Sequence, residues 1–438
     1  MKKLLPIFIS AALGSLSATA TADSITEIYN LAKQNDPQLL SAAASREAAF
    51  EAVNSSRSTL LPQINLTAGY DIARTSADRP ERESNVLSAG VGFTQELYQR
   101  SSWVNLELAE MSARQVDSTY AAQQQGLILR VSQAYFEVLR AQDSLEFVRA
   151  EKAAVARQLE QTKQRFEVGL SAITDVHDAQ AQYDSVLASE VLADNTLINS
   201  YESLREITGQ EHANLDVLDT ERFSASKSDT PSAELVKEAQ EKNLSLLAQR
   251  IAQDIAKDTI KLASSGHLPS LSLSGGYQYS DKDKAYPQSS NQSNNDFNIG
   301  VQLAVPLYTG GNTTSQVKQA ESKYVAASQD LEKVYRSVVK DVRAQNNNIS
   351  ATIGAIRAYD QSVISAESAL EATEAGFDVG TRTIVDVLDS TRRLYDANRN
   401  LSNARYDYIL SVLKLRQAVG TLSEQDILDI NAGLKAAG

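Results

Sequence analysis

Phe166-Glu167-Val168-Gly169-Leu170-Ser171-Ala172-Ile173-Thr174-Asp175-Val176 aligns without a gap with Phe377-Asp378-Val379-Gly380-Thr381-Arg382-Thr383-Ile384-Val385-Asp386-Val387. Self-similarity at a long, fixed spacing marks an internal repeat, and a missed repeat misassigns the whole fold. Working outward, Leu61-Pro62 through Gly69-Tyr70 matches Leu268-Pro269 through Gly276-Tyr277, and Leu97-Tyr98 matches Leu307-Tyr308. The chain is a tandem duplication. Each half runs in one order: a helix, two strand-like segments, a very long helix, a glycine turn and a second helix. The first repeat covers 23–223 with its hairpin at about 63–98, and the second covers 232–438 with its hairpin at about 270–308. The polar stretch 224–231 between them has the composition of a linker.

Two hydrophobic periods separate helix from strand. Val131, Ala134, Val138, Ala141, Leu145, Val148, Lys152, Val155, Leu159, Thr162 and Phe166 advance by threes and fours, broken in polarity only at Lys152 and Thr162. In the second half Val342, Ile349, Ile356, Val363, Leu370 and Phe377 recur every seventh residue, as do Val387, Leu394, Leu401, Tyr408 and Leu415 in the companion helix. Such spacing is a coiled-coil seam. No proline interrupts the span from about residue 100 to 168, which predicts a helix roughly 100 Å long. The equivalent helix opens at Gly311-Asn312-Thr313-Thr314-Ser315, a run of candidate N-caps. Gly209 and Gly420 are placed to end the two companion helices.

The other period is two. Ile64, Leu66, Ala68, Tyr70 and Ile72 alternate with polar or small residues, as do Leu87, Ala89, Val91 and Phe93. The second half repeats this in Leu271 through Tyr279 and in Phe297, Ile299, Val301, Leu303 and Val305. Four strands of about ten residues, each with one apolar face, have the length and alternation of membrane-barrel strands. Polar loops, Thr75 to Ser84 and Ser280 to Asp296, are expected between them. A small sheet packed on the helices is the alternative, but the helices' apolar residues are already committed to their seams. In lipid, two open edges would leave roughly ten backbone groups unsatisfied at several kcal/mol each. One chain therefore cannot span. Two chains would close about eight strands and three about twelve, and only the larger barrel leaves room for water.

Composition narrows the function. Mean hydropathy is -0.30, and past the N-terminus no apolar run reaches the length of a membrane helix. With no Cys, disulfides, thiolate metal sites, cysteine nucleophiles and a lipidated N-terminus are excluded. Three scattered His (His177, His212, His267) do not make a metal centre. Lys2 and Lys3, the apolar run Leu4 to Leu16 and Ala20-Thr21-Ala22 read as a secretory signal peptide over 1–22. Subtracting its two lysines from 42 leaves 40 basic residues against 55 acidic ones, a net of -15. No nucleic-acid partner is expected of so acidic a chain.

With these features in place, the sequence resembles the TolC family of outer-membrane efflux and secretion channels over essentially the whole mature chain. The motifs that carry the resemblance are Val379-Gly380-Thr381-Arg382-Thr383-Ile384-Val385-Asp386-Val387-Leu388-Asp389, its counterpart from Val168 to Val176, and Pro306-Leu307-Tyr308-Thr309-Gly310-Gly311. The resemblance implies a mainly α protein with a β-barrel part. Three copies would form a twelve-stranded barrel in the outer membrane of a Gram-negative bacterium, continued by an α-helical tunnel through the periplasm. It implies a passive exit duct of tripartite drug efflux and type I secretion, gated at its periplasmic helix tips. Its partners would be a periplasmic adaptor protein, an inner-membrane pump of RND, MFS or ABC type, and outer-membrane lipid.

The resemblance also assigns residues. Asp386 and Asp389, three apart on one helix face, would form two selectivity rings at the periplasmic mouth, where multivalent cations block conduction. Carboxylates about 6 Å apart repel by roughly 2 to 3 kcal/mol at an effective dielectric of 20, which favours raised pKa values or a bound cation. Arg382, Asp175, Thr174 and Gln158 would form the network that locks the closed mouth, Arg382 offering its planar fork to Asp175 of a neighbouring chain. Phe377 departs from the family pattern, which has a Tyr there whose hydroxyl joins the lock. Grooves around Gly169 and Gly380 would receive the adaptor. The plain reading of the acids is a solvated helix start, and of any one lock contact an exposed ion pair worth under about 1 kcal/mol.

Other features carry less. His177 beside Asp178 reads as an exposed helix residue rather than a cation ligand, Trp103 as a mark at the inner edge of the membrane belt or a cap on the helix seam, and Gly310-Gly311 as a tight strand-to-helix turn, since no Gly-Lys-Ser/Thr follows. No Ser/His/Asp arrangement or metal spacing supports an enzyme, and no cofactor is expected. The competing function is a non-conducting trimeric periplasmic coiled-coil scaffold or stalk, which would be soluble without detergent.

Overall fold

The computed structural model describes residues 23–77, 79–227, 230–285 and 292–436. The expected signal peptide lies outside the described residues. Two helices open the chain: α1 (Ile25–Asn35), started by a reciprocal Ser24 and Glu27 cap, and α2 (Pro37–Ser58). The single opening helix expected from the sequence is thus broken. Asp36 is the reason: its carboxylate accepts the Leu39 N–H at 2.8 Å and both arms of the Arg130 guanidinium at 3.0 and 2.7 Å. The hairpin β1 (Gln63–Ala77) and β2 (Arg79–Gln99) follows, then α3 (Arg100–Glu167), α4 (Ile173–Thr208) and the short β3 (Val217–Leu218).

The second half repeats this plan. Helices α5 (Ser232–Lys242) and α6 (Leu244–Ser264) are broken at Asn243, whose side chain caps Leu246 and donates to the Ala418 carbonyl, doing without proline what Asp36-Pro37 does earlier. Then come β4 (Ser270–Ala285), β5 (Gln292–Ala304), α7 (Asn312–Asp378), α8 (Ile384–Val419), α9 (Glu424–Asn431) and β6 (Leu434–Lys435). The long helices contain 68 and 67 residues, about 100 Å each. Left-handed glycines end α4 and α8, with φ of 72° at Gly209 and 91° at Gly420. The α7 start differs from expectation. Its N-cap is Gly311, which makes no side-chain cap bond, and the Thr309 and Thr313 hydroxyls bond to each other instead.

One antiparallel sheet in the order β1-β2-β4-β5 joins the hairpins of both repeats, leaving β1 and β5 as its edges. Its apolar face is bare: Ile64, Leu66 and Phe297 are 73, 79 and 74% exposed. The sheet does not pack on the helices, because the helical seams are filled by one another. The strands contain 15, 21, 16 and 13 residues, not about ten, and run through much of what polar composition marked as loops. Alternation reports only the stretch with an apolar face, whereas a ladder continues for as long as two strands satisfy each other's backbone. Below the sheet the helices keep the same order, α2 on α3, α3 on α6 and α6 on α7. No helix among the described residues is long and apolar enough to cross a membrane.

Three apolar cores lie along the helices. The largest joins α1, the middle of α3, the ends of α4 and α8, and α9, around Tyr135, Phe136 and Leu139. A second joins α5, α7 and α8 around Val342 and Ile349. The third, near the far tip, joins α3, α4, α7 and α8 through Val155, Leu159, Ala179, Phe377, Ile384 and Val387. The two polar breaks in the α3 seam are accounted for: Lys152 pairs with Glu190 of α4, and the Thr162 hydroxyl donates to the Gln158 carbonyl at 2.7 Å.

Candidate functional site at the helix tips

Both long hairpins turn in the same way. At the end of α3, the Leu170 N–H reaches the Arg165 carbonyl at 2.8 Å and the Gly169 N–H the Phe166 carbonyl at 2.9 Å. At the end of α7, Thr381 bonds Gly376 at 2.8 Å and Gly380 bonds Phe377 at 3.0 Å. This pair of bonds satisfies the last carbonyls of a helix and needs a left-handed residue between them. Gly169 and Gly380 supply it, with φ of 76° and 79°. Each turn then starts its next helix on an aspartate. Asp175 accepts from the Ser171 hydroxyl at 2.6 Å and the Ala172 N–H at 3.1 Å. Asp386 accepts from the Thr383 N–H at 2.9 Å and its hydroxyl at 3.0 Å.

Asp386 and Asp389 therefore differ in character. The two Thr383 bonds, and then the nearby Arg382 guanidinium, hold the Asp386 carboxyl below the usual carboxylate range. Within the chain this runs opposite to the rise expected for a ring of repelling acids. Asp389 is clasped by Arg392 at 2.6 Å and Arg393 at 2.7 Å, neither of which the sequence reading had linked to it.

Of the lock residues, the structure brings some together and not others. Gln158 of α3 reaches Glu374 of α7 at 3.4 Å, while its own Oε1 is buried without a hydrogen bond. Arg382 and Asp175 do not meet within one chain, Arg382 folding back over Gly376. Thr174 is exposed in the first turn of α4. Phe377 is buried in the tip core, with the Arg165 guanidinium 4.6 Å from its ring centre and 3.7 Å from Asp378. This Arg165, Phe377 and Asp378 contact joins α3 to α7, and the sequence reading missed it. Its signal was an arginine one residue before the quoted motif, facing an aspartate that follows Phe377. In a double-substitution cycle, Arg165→Ala and Phe377→Leu should show a coupling of about 0.5 to 1 kcal/mol in thermal unfolding; strictly additive losses would remove the stacking from the account.

His177 is exposed in the second turn of α4, and Trp103 is about half exposed at the start of α3. Gly310 and Gly311 both take positive φ in the turn from β5 to α7. No cluster of metal-ligating residues is found among the described residues.

The family described as Outer membrane efflux protein matches at residues 28–210 and again at 235–421. The chain is 74% identical to Outer membrane protein TolC of Vibrio cholerae serotype O1, covering all of both chains. It is 46% identical to Outer membrane protein TolC of Escherichia coli K12, over 99% of this chain and 90% of that one. Among solved structures, the CmeC outer membrane channel of Campylobacter jejuni superposes with a TM-score of 0.78 at 17% identity, over 99% of this chain and 98% of that one. A duplicated match, near-complete coverage and a shared tunnel fold agree: the chain belongs to the outer membrane efflux protein family.

Proposed function

We propose that three copies of this chain close into a twelve-stranded barrel and form the exit duct of tripartite drug efflux and type I secretion machines in the Gram-negative outer membrane. The observation that carries the reading is a four-stranded sheet with a bare apolar face and both edges unpaired, standing on helices about 100 Å long. Lipid covers that face, and only further strands satisfy those edges. The duct is passive. An inner-membrane pump of RND, MFS or ABC type supplies the energy through a periplasmic adaptor seated in the grooves beside Gly169 and Gly380.

In this reading Asp386 and Asp389 ring the periplasmic mouth. Arg382 reaches Asp175 and Thr174 of the neighbouring copy, with Gln158 and Glu374 holding the two hairpins together within each copy. Support comes from the capping of Asp175 and Asp386, which fixes both carboxylates at the tips without spending them on a partner helix. The test is particle mass in detergent followed by single-channel recording in a planar bilayer. A trimer with small, cation-selective conductance is expected, and Arg382→Ser should raise that conductance severalfold. An unchanged conductance in Arg382→Ser would remove the lock. A detergent-free soluble particle without conductance would favour the stalk.

A further inference from the structure

The seam between α3 and α8 is antiparallel and keeps one register along its length. Beside the largest core, Arg140 of α3 pairs with Asp407 of α8 at 2.7 Å. One turn nearer the tip, Asp143 accepts from the Ser402 hydroxyl and, at 2.7 Å, from the Tyr406 hydroxyl. Tyr406 is 3% exposed and its ring meets Phe136, so this clasp is anchored in the core. Eleven residues farther toward the tip on both helices (151 minus 140, and 407 minus 396) come Glu151 and Asp396. Eleven residues are about three turns, so both return to the helix faces that carry the ion pair. Where that rung holds opposite charges, this one holds two acids.

Glu151 is 8% exposed, and among the described residues it makes no hydrogen bond and no ion pair. At this level α3 packs on α4 and α8. On α8, Asp396 is in contact with Arg399, and Arg392 with Asp389, so both guanidiniums already serve acids of their own helix. On α4, Glu190 is engaged by Lys152 and Arg149, and Asp194 by Arg149. Glu151 is left facing a like charge without a cation of its own. Burial first, and the Asp396 charge second, push its carboxyl above the ordinary glutamate range, with Arg399 and Arg392 opposing.

The repeat shows that packing at this rung does not need acids. The tip motifs are 211 residues apart (377 minus 166), and that offset carries Glu151 to Ser362 and Asp396 back to Ser185, both uncharged. The other polar side chains in the α3 seam, Lys152 and Thr162, are satisfied by partners. Glu151 is the exception.

We propose that Glu151 and Asp396 form a proton-sensitive catch that holds the hairpin of α7 and α8 against the hairpin of α3 and α4 on the tip side of the Asp143 clasp. With its proton, Glu151 donates to the Asp396 carboxylate and joins the two helices. Without it, two carboxylates face each other across a seam with little water and push the helices apart. The held arrangement binds the proton more tightly, so its advantage is present at low pH and is lost as pH rises through and above the ordinary glutamate range. Release stops at the clasp, because the rungs there join opposite charges, or a hydroxyl to a carboxylate, and need no added proton. The catch names a regulation of the mouth proposed above and rests on that reading for its consequence: rising pH weakens the hold on the tips.

The test is amide hydrogen exchange, read by mass spectrometry on the full detergent-solubilised protein between about pH 5 and about pH 8. Glu151→Gln, whose amide can donate to Asp396 at any pH, is compared with the unsubstituted protein at each pH, which cancels the intrinsic pH dependence of exchange. The two should exchange alike in residues 384–394 at the acid end. At the alkaline end the unsubstituted protein should exchange about threefold to tenfold faster there, with no difference in 402–413 above the clasp. Asp396→Asn should match Glu151→Gln, and it decides the question by the same profile if Glu151→Gln does not accumulate. A ratio that stays constant with pH would overturn the catch. So would faster exchange of 384–394 in the variants, or an equal change on both sides of the clasp. Exchange reads the helices of the chain itself, so failure of the catch is distinct from failure of the duct, which would leave the unsubstituted particle without conductance.

Discussion

Gly420→Ala should abolish accumulation of the folded protein in the outer membrane, or leave a particle destabilised by about 3 kcal/mol or more. Two costs coincide at this residue. Its φ of 91° lies in the left-handed region, where an L side chain is strained by about 1 to 2 kcal/mol. A Cβ there would also stand 2.3 Å from the Lys242 carbonyl oxygen and 2.8 Å from the Asn243 nitrogen. Those are backbone atoms at the break between α5 and α6, held by the Asn243 bond to Ala418, and they cannot rotate aside. Gly169→Ala is the control. It shares the left-handed strain at φ 76° but has nothing within 4 Å of the added carbon, so it should lose only the first cost. Denaturant unfolding of the two variants side by side measures the difference, and equal losses would show that close approach at Gly420 contributes nothing.

Asp386→Asn combined with Asp389→Ala should raise the concentration of a trivalent cation needed for half-block of the channel by about a hundredfold or more. Each lost ionic contact is worth about 1.5 to 3 kcal/mol, and about 1.4 kcal/mol is a factor of ten. Asn is chosen at Asp386 because its side-chain oxygen can still accept the Thr383 bonds that start α8. The single substitutions should be unequal. Asp389 is already neutralised by Arg392 and Arg393, so Asp386→Asn should move the half-block concentration further than Asp389→Ala. Block that survives the double substitution would refute the assignment of rings to these residues.

Periodicity made much of this molecule legible. A seam recurring every seven residues packs helix against helix as a coiled coil, and the absence of proline between about 100 and 168 left nothing to break the helix. Glycines at 169, 209, 380 and 420 were readable because a left-handed helix end all but requires that residue. What escaped depended on long-range contacts. The break at Asp36 is set by Arg130, far along the chain, and the break at Asn243 by the Ala418 carbonyl, farther still. At the tips the motif named the acids but not their company. Arg165 reaches Phe377 only because two helices of nearly equal length bring their ends level. Asp389 has arginines three and four residues later on its own helix, a spacing legible in the sequence as helix-face ion pairs.

The shared ladder register bears on the protein's origin. Each half carries one hairpin and one pair of long helices, and Gln63 opposite Thr94 in the first recurs as Ser270 opposite Ala304 in the second. Joining the two halves in one chain makes the β2–β4 pairing between them intramolecular, at high effective concentration. After fusion the two halves were free to diverge. Only the later one carries the arginine pair beside its second tip acid: where Asp389 is followed by Arg392 and Arg393, its counterpart Asp178 is followed by Ala181 and Gln182.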